Sequence, residues 1–247
     1  ALNYKSVDKK QSKKKINLNN FKIITKIPAP QKKEKFYKKK TLKSILKSKK
    51  LLKINNFYAI LIHGCQNLNT DQAKLIVDIL LELKKKKLTL KVGLSLYNIK
   101  ELDFMLKFFT PNIIQVPHNI FDNRFTQNKI LNKISKYNID LHVRSIFLQG
   151  ILLIDPQNIN IKFSRWIKLF KRWHFYCKKN KISKIEGAVN FVLKTKKIKK
   201  IVVGFTNTEE FIEFLKIKTK KKLTVPKLLI SKIKNIEKLI NPYNWKT

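Results

Sequence analysis

The run Phe57-Tyr-Ala-Ile-Leu-Ile62 constrains this chain more than any other stretch, because Tyr58 to Ile62 offers no polar face. A half-exposed strand alternates apolar and polar residues. A run without alternation suits a strand covered on both sides, as in a parallel sheet. His63 and Gly64 follow directly, at the strand end where parallel α/β proteins place ligands and reacting groups. His63 is open to two readings here: a histidine bonded to a backbone carbonyl, or a side chain that works on a ligand.

The same alternation recurs along the chain. Strands are predicted at 21–27, 58–63, 89–96, 113–117, 140–147 and 201–204. Helices are predicted at 38–52, 71–86 with Thr70 as N-cap, 99–109, 126–137, 163–179, 183–193, 208–216 and 227–239. Residues 8–15 are also compatible with a helix. Six strands, each followed by a helix, argue for a parallel sheet with right-handed crossovers. No Gly-x-Gly-x-x-Gly follows any strand, and the chain has only five glycines. A closed barrel is therefore expected over an open dinucleotide-binding sheet, although six strands are two short of eight. Trp166, Phe170 and Trp173 share helical spacing and are expected against the barrel wall; Phe121 is read as packing.

A net charge of +41 invites a nucleic-acid partner. Yet only four of the 56 basic residues are Arg, namely Arg124, Arg144, Arg165 and Arg172, whereas base and phosphate recognition favours the arginine fork. The lysines are spread over nearly every segment, which reads as a chain-wide bias. Nucleic acid is not the expected partner, although the charge raises affinity for any anion. Cys65 and Cys177 are too few for a disulfide framework, so a cytoplasmic setting is expected. No apolar run reaches the ~18 residues of a membrane span, and no signal peptide is visible. At 43% hydrophobic, residues 1–247 are read as one domain with a sizeable core.

Each predicted strand delivers polar groups at its C-terminal end: Lys26, His63, Ser95 with Tyr97, Gln115 with Asn119, Arg144 with Ser145, and Gly204 with Thr206. Six lips lined in the same sense point to a ligand pocket. Their order and spacing resemble the aldo-keto reductases, in particular a bacterial branch with strings similar to Leu141-His-Val-Arg-Ser-Ile-Phe-Leu-Gln-Gly150. Further matches are Ile24-Thr-Lys26, Leu61-Ile-His63, Val92-Gly-Leu-Ser-Leu-Tyr97, Ile114-Gln-Val-Pro-His-Asn119 and Ile201-Val-Val-Gly204. Ala1-Leu-Asn-Tyr4 looks like the tail of the family's Asp-x-Ala-x-x-Tyr motif.

The resemblance implies a (β/α)8 barrel that binds a nicotinamide cofactor, NADPH or NADH, and reduces an aldehyde, ketone or sugar-like carbonyl. It implies Tyr4 as proton donor, Lys26 beside it, and His63 orienting the carbonyl. An ammonium beside a phenol of ordinary pKa near 10 lowers that value. A neutral imidazole can bond the carbonyl oxygen as negative charge develops. Ser95, Gln115 and Asn119 match positions that hold the nicotinamide carboxamide or shape its pocket. Arg144, Ser145, Gly204, Thr206 and Glu213 complete the cofactor candidates, Glu213 matching an acid near the adenine. No metal is implied.

Some features depart from the family pattern. The family's catalytic Asp would precede Ala1, as would the first strand and most of the second. The chain is thus expected to be an incomplete barrel of about six strands with impaired activity. Lys5 replaces a Gly of the motif, and Arg144 stands where many members stack an aromatic ring. The stretch Phe205-Thr-Asn-Thr-Glu-Glu210 lacks the Lys and Arg that commonly hold a 2′-phosphate, and Phe214 replaces a usual Asn. A catalytically silent relative used for binding is the alternative.

Overall fold

The computed structural model describes residues 17–31, 36–217 and 235–245. Six strands occur in it: β1 (Ile24–Pro28), β2 (Phe57–His63), β3 (Thr89–Ser95), β4 (Ile113–Pro117), β5 (Asp140–Arg144) and β6 (Ile198–Ile201). They form a six-stranded sheet in sequence order, and among the described residues it does not close on itself. The helices are α1 (Tyr37–Leu52), α2 (Thr70–Lys85), α3 (Ile99–Met105), α4 (Asn128–Lys136), α5 (Ile167–Lys179), α6 (Lys184–Leu193), α7 (Thr208–Leu215) and α8 (Ile236–Ile240). The expected parallel α/β class therefore holds. No described helix is long and apolar enough to cross a membrane. The chain divides into two compact units, Ala1–Gln115 with Lys136–Asp140, and Val116–Ser135 with Leu141–Thr247.

In the first unit the strands run parallel in regular register. Ile24, Lys26 and Pro28 pair with Ala59, Leu61 and His63; these pair in turn with Lys91, Gly93 and Ser95. Gly93 and Ser95 lie opposite Ile113 and Gln115. Because side chains alternate faces along a strand, all of these share one face of the sheet. Ala59, Leu61 and Ile113 form an apolar cluster there, with Ile24 packed against it. Gly93 is required in that cluster, since a Cβ would run into the Ile113 carbonyl and the Leu61 side chain. On β2, Ile60 and Ile62 are also fully buried, which accounts for the missing polar face in the sequence.

Helix α2 begins one residue earlier than predicted. Its N-cap is Asn69, not Thr70: the Asn69 side chain accepts from Gln72 N, and the Gln72 side chain accepts from Asn69 N. The Asn69 side-chain oxygen thereby satisfies an otherwise orphaned amide at this end. Its buried stripe of Ala73, Ile76, Ile79, Leu80 and Leu83 follows helical spacing, and the helix packs on β3. Helix α3 ends at Met105 rather than near 109, and β1 starts at Ile24 rather than Phe21.

In the second unit β5 pairs in parallel with β6, Leu141 opposite Ile198 and Val143 opposite Ile201. The predicted strand 201–204 therefore lies three residues upstream. As the last strand of the sheet, β6 needs no continuous apolar run, and Lys199 and Lys200 stand exposed in its middle. Strand β5 stops at Arg144, short of 147, because Ser145 adopts a left-handed backbone (φ 57°) that ends extension. The expected long loop folds into short 3-10 turns at Ile151–Leu153, Pro156–Asn158 and Ile161–Trp166. The last of these takes the start of the helix predicted at 163, so α5 begins at Ile167. Trp166, Phe170 and Trp173 are buried, and Trp173 Nε1 donates to Leu152 O at 3.0 Å. Phe121 stacks edge-on against Phe170 at 5.6 Å. Of the predicted helix 227–239, residues 227–234 lie outside the described residues, as do 8–15.

Candidate active site

In the first unit, strands β2, β3 and β4 set His63, Ser95 and Gln115 side by side in one register row at their C-terminal ends. Lys26 lies on the same face one row below, opposite Leu61 and partly buried, two residues before the end of β1. Nδ1 of His63 and Oγ of Ser95 are 3.2 Å apart. The His63 carbonyl accepts from Ala29 N at 2.7 Å, so backbone and ring are both held. The Tyr97 ring lies 5.8 Å from the imidazole, tilted by 51°.

Glu101 supports this arrangement from behind. Its buried carboxylate accepts from Tyr97 N and Asn98 N, each at 3.2 Å, while the Asn98 side chain accepts from Glu101 N. The same motif caps α3 and fixes the turn that carries Tyr97. Tyr97 is one of the polar groups expected at the strand ends, whereas Glu101 is not, although the spacing Asn98-x-x-Glu101 marks the cap in the sequence. Gln115 is almost fully buried, and among the described residues its Oε1 has no hydrogen-bond partner. Buried acceptors of this kind are uncommon and call for a donor.

In the second unit, Asn119, Arg144 and Ser145 come together. Asn119 Oδ1 accepts from Phe121 N at 3.0 Å, and its Nδ2 donates to Ser145 O at 3.1 Å. Arg144 Nη1 donates to Ser145 Oγ at 3.2 Å. Next to Asn119, the buried His118 has its Nδ1 3.1 Å from Asp122 O and its ring 5.1 Å from Phe191. Burial pushes the His118 pKa down to about 4. Asp122 itself receives a two-pronged bond from Arg124, at 2.8 Å on each oxygen. Gly204 and Thr206 are exposed just ahead of α7, and Glu213 is exposed in its second turn. There Thr206 N donates to Glu210 Oε2 at 2.9 Å, and Asn207 caps the helix. Tyr4 lies outside the described residues.

An imidazole held at both ring and backbone, a lysine on the same sheet face and a buried amide acceptor can together polarise a carbonyl and seat a carboxamide. Comparison with known proteins agrees with this fold. Residues 9–235 match the family model described as the aldo/keto reductase family. Similar solved structures include the apo aldo-keto reductase AKR11C1 from Bacillus halodurans, at TM-score 0.62 and 15% identity over 89% of this chain and 71% of that one. The thermostable aldo-keto reductase Tm1743, solved with the inhibitor epalrestat, gives TM-score 0.61 and 18% identity over 86% and 73%. The glycerol dehydrogenase AKR11B4 from Gluconobacter oxydans gives 0.51 and 17% over 73% and 64%. The chain thus spans between 64% and 73% of the length of these proteins. No curated protein matches it. With the family model covering nearly all of its length, the chain belongs to the aldo/keto reductase family.

Proposed function

We propose that this protein is an NAD(P)H-dependent oxidoreductase that reduces an aldehyde, ketone or sugar-like carbonyl, working in the cytoplasm as one barrel domain. The observation that carries the reading is the row of His63, Ser95 and Gln115, with Lys26 on the same face. A relative named a glycerol dehydrogenase adds support, since a polyol is the reduced counterpart of a sugar-like carbonyl.

The bound nicotinamide supplies the hydride. Gln115 Oε1, buried and unpartnered, fits the N–H of a carboxamide. Asn119 fastens the Ser145 backbone, and the Arg144 guanidinium can lie flat on an aromatic ring. Gly204, Thr206 and Glu213 are candidates for the rest of the cofactor, Glu213 for the adenine end. His63 donates a hydrogen bond to the carbonyl oxygen as negative charge builds there. Tyr4 passes its proton to that oxygen, with the Lys26 ammonium favouring the phenolate left behind.

The test is a titration with NADPH and NADH, followed by turnover on aldehydes and ketones. Tyr4→Phe should lower turnover by about 100-fold with cofactor binding kept. Failure of both nicotinamides to bind would sink the proposal. Arg144, in place of a stacking aromatic, favours a second reading as a silent binding protein, for which cofactor would bind without turnover on any carbonyl.

A further inference from the structure

We propose that Ser95 is a positioning residue for His63, its hydroxyl fixing the imidazole as the Nε2–H tautomer that can donate to a substrate carbonyl. The proposal rests on the catalytic reading of His63 and deepens it, by stating which ring nitrogen carries the proton and what keeps it there. Ser95 is fully buried at the end of β3, directly opposite His63 in the ladder, and its Oγ sits 3.2 Å from Nδ1. Tyr97 flanks the ring at 5.8 Å on a turn fastened by Glu101. Strand register and turn thus fix both partners of the contact.

The contact itself can run either way, and the proposal makes Ser95 its donor. A serine hydroxyl has one to give. Among the described residues Gln115 Oε1, the acceptor next in the row, has no hydrogen-bond partner, so the Ser95 hydrogen is not spent there. Given to Nδ1, it makes that nitrogen an acceptor, and the ring proton of a neutral imidazole must then sit on Nε2. In the opposite arrangement Nδ1–H would donate to Ser95 Oγ. Nε2 would then turn a lone pair toward an oxygen that gains negative charge during hydride attack, opposing the reaction.

The tautomer can be read without turnover, by long-range proton–nitrogen NMR of the full chain carrying nitrogen-15 histidine, above the imidazole pKa. The His63 signal is identified by its loss in His63→Asn. The expected wild-type pattern is a protonated Nε2 with a bare Nδ1. Ser95→Ala should move it toward a mixture of tautomers, and Ser95→Thr, which keeps the hydroxyl, should restore it. In kinetics, Ser95→Ala should lower kcat about ten-fold with less change in the KM for substrate. A wild-type His63 protonated on Nδ1 would overturn the proposal even if the variants do not fold, as would a wild-type pattern retained in Ser95→Ala. Failure of the catalytic reading would show elsewhere, as turnover kept in His63→Asn.

Discussion

The indole of Trp173 occupies the space where a side chain on Gly187 would begin: a Cβ there would lie 2.7 Å from Trp173 Cη2. The ring cannot retreat freely, because its Nε1 is bonded to Leu152 O. Alanine at 187 would gain about 1 kcal/mol in helix propensity, while overpacking against a fixed ring costs roughly 1–3 kcal/mol. Gly187→Ala should therefore lower stability by about 1 kcal/mol in urea unfolding. In a Trp173→Phe background the penalty should shrink, revealing the contact as its cause.

His118 makes stability depend on pH. Its folded pKa, about 4, is below the ordinary 6.5 because burial disfavours the charged ring. Between those values the unfolded chain binds the extra proton. Stability from this group is thus complete above 6.5, falls as pH drops through the window, and levels off below about 4. The full swing is on the order of 3 kcal/mol. Urea midpoints across that range should show the slope, and His118→Gln should flatten it.

Two neighbouring substitutions separate the real cap of α2 from the one read in the sequence. Asn69→Ala should cost about 1 kcal/mol, since it removes the acceptor for Gln72 N. Thr70→Ala, one residue inside the helix, should fall within about 0.5 kcal/mol of wild type. Equal losses in thermal unfolding would contradict the assignment.

At Gln115, binding and stability should part company. Gln115→Leu removes a buried acceptor that lacks a partner among the described residues, so stability should change by no more than about 1 kcal/mol. If the amide seats the nicotinamide, NADPH should bind roughly ten-fold more weakly. Fluorescence titration of the cofactor beside urea unfolding of the same variant distinguishes the two effects.

The inner strands were legible because burial on both faces writes itself as an apolar run, unbroken in Tyr58–Ile62 and interrupted only by the buried Gln115 in Ile113–Pro117. The strand at the sheet's end carries no such mark. In β6 the exposed Lys199 and Lys200 disguise it, while the more apolar Ile201–Val203 drew the prediction downstream. Backbone handedness was equally hidden: nothing in Ser145 as a residue type announces that extension stops there. Of the site, His63, Ser95 and Gln115 could be found as polar residues after apolar runs, but their alignment in one row depends on inter-strand register. Glu101 escaped notice because its work is done on backbone N–H groups of its own turn.

That row is spelled by a ladder rather than by loops, and a ladder has no intermediate settings. Sliding β2 by a single residue against its neighbours would swing His63 to the far side and bring Ile62 in its place. The proposed chemistry of this chain and the pairing of its strands are thereby tied to one discrete choice, so faulty pairing would erase the candidate site outright instead of weakening it by degrees.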